Sequence, residues 1–497
     1  MIARMGLLPH KLYRAAEVRA LERMAIETLS IEGIELMNRA GAAAFAALRA
    51  CWPAAKRVTV VCGGGNNGGD GFVLARLADE AKLQVSVVML VKAASLKDEA
   101  KLAYDAMVAV GVEAVGGEAL SLVDADVVVD ALLGTGLDRE VTGRWRETIS
   151  MINTAPVPVF SIDIPSGLNG DSGAVMGAAI CADATISFIA LKQGMLTASG
   201  VDCCGQLFFD ALQLPTAVYE KVAPSANRIL PNQFSAYLPR RMRATHKGDC
   251  GHLLVVGGAA GMSGAPRMAG EAALRCGAGL VSIATVAEHA AGLNFVRPEL
   301  MVHAVETLAE LSPLIAQADV IAVGPGLGCS KWGMAMFAAV LASDAPLVVD
   351  ADALNLLAIE PYERDDWVLT PHPGEAARLL NISTDEVQAD RFAAADALQR
   401  KYGGVTVLKG CGSLVADQDG AVSLCDAGNP GMASGGMGDL LTGVIAALIA
   451  QGVALADAAR FGVWLHATAA DRAAVGGERG MLASDLLPHL RKLVNHV

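Results

Sequence analysis

The residues best placed to do chemistry gather near the end of the chain, in Asn429-Pro-Gly-Met-Ala-Ser-Gly-Gly-Met-Gly-Asp439-Leu-Leu-Thr-Gly443. Glycines and a serine lead into an acidic residue, and a long apolar run follows. That order predicts a loop feeding the first turn of a buried helix. Unpaired N–H groups there and the helix dipole form an anion site, and glycines let a phosphate approach the backbone. Asp439 then stands beside the phosphate, where a base would take the proton of an attacking hydroxyl. The plain alternative is a glycine-rich turn ahead of a core helix.

Other polar residues sit at the ends of apolar runs. Lys56–Cys62 leads into Gly63-Gly-Gly-Asn-Asn-Gly-Gly-Asp-Gly71, with a helix expected over Phe72–Ala81 and a strand over Gln84–Leu90. Gly63, Gly65 and Gly68 satisfy the dinucleotide pattern G-x-G-x-x-G. The second strand, however, ends in Leu90-Val91-Lys92 without the acid that would hold ribose hydroxyls. Oxygen-bearing side chains in this loop suit a hard cation or a ligand hydroxyl instead. Two more strand ends carry Asp130 and Asp163, the latter followed by Ile164-Pro-Ser166-Gly. A loop cap explains any one of them, whereas three adjacent ends in a parallel sheet make a site. Further on, four strand ends carry Gly324-Pro-Gly326-Leu-Gly328, Asp350-Ala-Asp352, Thr370-Pro-His372-Pro-Gly-Glu375 and Lys409-Gly-Cys-Gly-Ser413. Lys409 beside glycines has the character of a phosphate-binding lysine. No G-x-x-x-x-G-K-[ST] run is present, so a P-loop is excluded.

The elements that must position these residues are those of an α/β protein. The chain has 497 residues, too many for one core. It is 53% hydrophobic and only 18% charged, with 53 glycines, as expected of layered helices around buried parallel strands. Helical spacing over Ala15–Ala50 predicts two helices divided near Gly33. Prolines 224, 231 and 239 place a linker near 222–235, giving domains at 1–222 and 235–497. A net charge of −13 argues against a nucleic-acid surface. Ten cysteines without a C-x-x-C pair suit a reducing cytoplasm. Met1–Arg14 has no continuous apolar run of a signal peptide, and the apolar stretch 440–456 is short and interrupted, so neither secretion nor a membrane span is expected.

In combination, Glu35-Leu-Met-Asn-Arg-Ala-Gly41, Asn66-Asn-Gly-Gly-Asp-Gly71, Val129-Asp-Ala-Leu-Leu-Gly-Thr-Gly136 and Asp163-Ile-Pro-Ser-Gly167 resemble the NAD(P)H-hydrate epimerase domain over about residues 10–220. The resemblance implies a Rossmann-like three-layer αβα domain. It assigns a potassium ion to Asn67, Asp130 and Ser166. Substrate contacts would fall on Asn66, Asn67, Gly68, Gly69 and Asp70, and on Gly134, Thr135, Gly136, Leu137, Asp138, Arg139 and Glu140, with Asp163 as acid/base. Lys192 matches a lysine of the family's late strand, its alternative being a surface lysine with its head in water.

The later stations resemble the ADP-dependent NAD(P)H-hydrate dehydratase branch of the ribokinase-like superfamily, over roughly residues 240–495. That implies a ribokinase-like α/β domain in which Ala265, Gly326, His372 and Asp439 face the hydrated dinucleotide. Lys409, Gly410, Cys411, Gly412, Ser413 and Gly438 would contact the nucleotide. The fusion implies repair of NADHX and NADPHX with ADP as co-substrate, magnesium in the dehydratase domain, and assembly into a homo-oligomer. Two other readings stand: a ribokinase-like vitamin kinase that releases a phosphorylated product, and an N-terminal half that only binds a ligand or RNA.

Overall fold

Short apolar runs form most of the strands, and the computed structural model describes them within residues 8–234, 237–295, 297–420 and 422–495. Residues 1–7, at the start of the N-terminal stretch, and Ser235, the last residue of the stretch read as a linker, lie outside the described residues. The chain divides into two compact units, Met1–Asn227 and Arg228–Val497.

The first unit is built on seven parallel strands in the order Ala114–Gly116, Gln84–Met89, Arg57–Cys62, Val127–Ala131, Val159–Ile162, Ala184–Phe188 and Gln206–Asp210. The chain runs outward to one side from Arg57–Cys62 and to the other from Val127–Ala131. Loops leaving the carboxyl ends of that pair therefore diverge and open a crevice. Beside this sheet, Lys11–Tyr13 pairs with Ala226–Arg228 and with Leu191–Lys192, so part of the expected linker is a strand. The helices Ala15–Leu29 and Gly33–Cys51 are separate, as the spacing predicts.

The glycine-rich stretch departs from expectation. The helix starts at Asn66, six residues before Phe72, and runs to Glu80 with Gly69 N–H donating to the Gly65 carbonyl. Its glycines allow close packing. A Cβ at Gly71 would lie 2.6 Å from Ala131 Cβ, and one at Gly68 would lie 2.3 Å from the Gly63 carbonyl oxygen. The helix thus lies directly on the sheet, a gain that offsets the modest helix penalty of glycine.

The second unit orders its strands Met301–Ala304, Leu280–Thr285, His252–Val256, Val320–Val323, Leu347–Val349, Trp367–Leu369, Val405–Leu408, Ser413–Ala416 and Val422–Cys425. The first seven are parallel, and the last two add an antiparallel meander. The direction of winding reverses between His252–Val256 and Val320–Val323. The helix Met437–Ala450 is apolar around most of its circumference and buried against the helix Gly264–Cys276. Contact is closest at Gly443, where a Cβ would meet the Ala269 carbonyl oxygen at 1.9 Å. Among the described residues no helix is long and apolar enough to cross a membrane.

Because that carbonyl belongs to backbone, relief needs the two helices to separate. Gly443→Ala is expected to cost about 1–3 kcal/mol, read as a lowered midpoint in denaturant unfolding. An unchanged midpoint would show that the helix pair yields freely.

Candidate active sites

In the first unit the strand ends and the loops after them enclose a cavity of about 590 Å³. Asn66, Asn67, Asp70, Gly134–Arg139 and Asp163 line it, bringing most of the expected substrate residues together. Gly68 and Gly69 are buried in helix packing, and Glu140 is exposed; none of the three lines the cavity.

Asp130 is fully buried. One carboxylate oxygen accepts from Ser166 Oγ (2.5 Å) and Leu132 N–H (3.2 Å), the other from Ser161 Oγ (2.9 Å) and Ser166 N–H (2.8 Å). Burial pushes its pKa up, and the serine bonds pull against that. Asn67 donates to the Leu133 carbonyl at 2.9 Å, while its side-chain oxygen is buried without a partner. Ser166 Oγ also touches the Leu133 carbonyl. Asn67, Asp130 and Ser166 therefore gather, with Leu133, into one group of hard oxygens. A buried amide oxygen without a donor suits a cation.

Asp163 ends its strand with φ +66°, a left-handed conformation rare outside glycine. Its carboxylate is gripped by Lys192 and receives the Phe188 N–H at 3.3 Å. Lys192 is 0% exposed and also donates to Ser187 Oγ at 3.0 Å, so its head is not in water. Asp70, nearly buried, has its pKa raised well above the usual carboxylate value by burial and then by Asp163 and Glu22. Glu22, which the motifs do not reveal, lines the same cavity from the helix Ala15–Leu29. Its signal is positional: it falls within the stripe of Val18, Leu21 and Ala25 that faces the core.

The second unit gathers His372, Glu375, Lys409, Asp350 and Asp439. Asp350, at the end of Leu347–Val349, is 1% exposed. Lys409 Nζ donates to it at 2.6 Å and lies 3.8 Å from Glu375, while Thr442 Oγ donates to Asp350 at 2.8 Å. Burial would raise the Asp350 pKa, but Lys409 and the threonine hydroxyls outweigh it and hold it low. Glu375 and Asp439 are left in excess. Burial, with Asp350 nearby, lifts each to about 7 even though Lys409 pulls the other way. His372 caps the helix Pro373–Leu380, its Nδ1 accepting from Gly374 N–H while Glu375 accepts from His372 N–H.

Asp439 lies in the first turn of its helix, and a Cβ at Gly438 would stand 3.3 Å from Lys409 Nζ. Lys409 is thus held by carboxylates within reach of that turn. Gly324 packs on the Asp350 carbonyl, and Gly328 N–H donates to Asp352 at 2.8 Å, tying the Gly326 loop to this end of the sheet. Gly326 also abuts Ala265, a Cβ there falling 3.3 Å from the Ala265 Cβ. The turn Gly410–Ser413 closes on itself through Ser413 Oγ donating to the Gly410 carbonyl. Arg391, buried and without a sequence signal, donates to the Lys409 and Leu408 carbonyls beneath it.

The comparisons agree with this two-site arrangement. A family model described as YjeF-related protein N-terminus matches residues 33–194, and one described as NAD(P)H-hydrate dehydratase matches residues 253–492. The bifunctional NAD(P)H-hydrate repair enzyme Nnr of Coxiella burnetii is 50% identical over 97% of this chain and 99% of its own. Its counterpart in Escherichia coli is 46% identical over 98% and 95%. Among solved structures, a ribokinase-like superfamily protein from Enterococcus faecalis matches with TM-score 0.51 and 27% identity, covering 55% of this chain and 96% of that one.

Removing Lys409 would leave Asp350 buried and unpaired. Lys409→Met is expected to destabilise the protein by about 3–5 kcal/mol, and adding Asp350→Asn should restore much of that. Denaturant unfolding of both variants checks it; equal stability of the single variant and the native chain would remove the pair from its structural role.

Proposed function

The chain belongs to the bifunctional NAD(P)H-hydrate repair enzymes, and from that premise we propose how its two sites divide the work. The substrate is a reduced nicotinamide cofactor with water added across C5=C6. The C6 hydroxyl is a poor leaving group, and a kinase-type site makes it a good one. Asp439 takes the hydroxyl proton as its oxygen attacks the β-phosphorus of ADP, and AMP departs. The N1 lone pair then expels phosphate, and loss of a C5 proton restores the double bond. N–H groups at the start of Met437–Ala450, with Lys409, would stabilise charge on the transferring group.

The observation that carries this reading is Asp439 itself: a first-turn carboxylate lifted to about 7, basic enough to accept a proton at neutral pH. Gly410–Ser413 is assigned to the nucleotide, and Ala265, Gly326 and His372 to the dinucleotide. No cluster of three His, Cys, Asp or Glu side chains that could hold a metal occurs among the described residues. Magnesium, which neutralises phosphate charge when bound, would therefore be held chiefly by the nucleotide.

A site that discriminates stereochemistry consumes one C6 epimer, the S form, and the first unit supplies the other by epimerising R and S. Asp163, oriented by Lys192, faces the cavity as acid/base, while Asn66, Asn67, Asp70 and the Gly134–Glu140 loop hold substrate. Potassium would be held by Asn67, Asp130 and Ser166, with the unpartnered Asn67 oxygen as its best evidence. Its charge would rigidify the loop ends beside the substrate. The reading extends to a cytoplasmic homo-oligomer that accepts both NADHX and NADPHX and uses ADP. Domain limits of 1–222 and 235–497 bracket the two activities.

Four outcomes test it. With S epimer, magnesium and ADP, phosphate, AMP and restored dihydronicotinamide should appear in equal amounts; a stable phosphorylated product would favour the vitamin-kinase reading. The dehydratase kcat/KM should fall about tenfold per pH unit below about 7, because protonated Asp439 cannot act as base. Asp439→Asn should remove turnover, and full activity in that variant would exclude it as the base. Asp163→Ala should abolish epimerisation while leaving dehydration of the S epimer intact.

A further inference from the structure

The first unit's cavity is lined by Glu22, Asp70, Glu99, Asp138 and Asp163 against Arg19 and Arg139, with the buried Lys192 paired to Asp163. Lys192 is committed to Asp163 and Ser187. Asp70, 8% exposed on the opposite helix, receives no hydrogen bond from any described donor. Glu22, from a third element, is half-buried beside both. Burial first, then the Asp163 charge, raises the Glu22 pKa, with Glu99 adding to this and Lys192 and Arg19 opposing it. Arg19 is partly engaged elsewhere, donating to the Thr135 carbonyl at 3.2 Å. For Asp70 the charges that matter are Asp163, Glu22 and Lys192. Carboxylates crowded in a desolvated space hold a proton between them.

We propose that Glu22, which lines the same cavity as Asp70 and Asp163, is a second catalytic residue of the epimerisation and exchanges a proton with the substrate. The inference rests on the epimerase reading of this cavity. The N1 lone pair forms an N1=C6 double bond as the C6–O bond breaks, and the oxygen keeps the bonding electrons. That oxygen takes the Glu22 proton and leaves as water. Water then adds to the other face of C6, and its proton passes to Asp163. The opposite epimer is converted by the same steps reversed, with Asp163 the donor and Glu22 the acceptor. Between turnovers Glu22 regains a proton from solvent and Asp163 gives one up to it.

The test uses the whole chain, whose dehydratase activity reports its folding. Purified R epimer of NADH hydrate is mixed with native protein, Glu22→Gln or Glu22→Asp, and both epimers are followed by chromatography. Expected is a kcat for epimerisation lowered about 10²-fold in Glu22→Gln, with little change in KM, partial recovery in Glu22→Asp, and S-epimer dehydration as in the native chain. Native-like epimerisation by Glu22→Gln would overturn the proposal, as would a loss shared equally by dehydration. Absence of epimerisation in the native chain itself would overturn the epimerase reading, and this proposal with it.

Discussion

In each unit one ammonium group sits among carboxyl groups that outnumber it, in space too desolvated to tolerate unpaired charge. Lys192 holds Asp163 while Asp70 and Glu22 stand by, and Lys409 holds Asp350 while Glu375 and Asp439 stand by. The lysine pins one carboxylate in place. The surplus carboxyls then have raised pKa values, which suits groups that must take and return protons near neutrality. Cost and use have one source: burial that weakens the fold is what makes an ordinary aspartate a useful base.

The sheets explain why carboxyls collect there. A parallel strand ends where its chain must turn out of the layer, and polar side chains at those ends cap the exposed N–H groups of the loops. Where winding reverses, neighbouring loops part, and the capped ends face a crevice. Close packing keeps these ends in register. Gly71 lets a helix rest on Ala131, next to Asp130, and Gly443 presses the Asp439 helix onto Gly264–Cys276. Substituting either glycine would move its helix bodily, because its neighbour in each case is rigid.

Much of this is legible in the chain. Buried parallel strands read as apolar runs such as Val127-Val128-Val129, and Asp130 follows directly at the functional end of that run. What stays hidden depends on packing across elements. Asn66–Gly71 reads as loop because glycines are poor helix formers, yet the sheet beneath rewards their small size. Lys192 fits either a family lysine or a surface lysine in sequence, since nothing local shows that its side chain will be fully buried. Glu22 lies on a helix with no motif, and only its place among Val18, Leu21 and Ala25 hints at burial. Arg391 gives no local sign that it will support the carbonyls of a distant turn.

The claim that surplus buried carboxyls supply the chemistry is tested most directly by titrating one of them. Aspartate labelled with ¹³C at the side-chain carboxyl, followed by NMR across pH in the native chain and in Asp439→Asn, identifies the Asp439 resonance by its loss. The account expects that resonance to titrate near pH 7. Titration in the ordinary carboxylate range would contradict it, and would leave the second site without the base that its geometry implies.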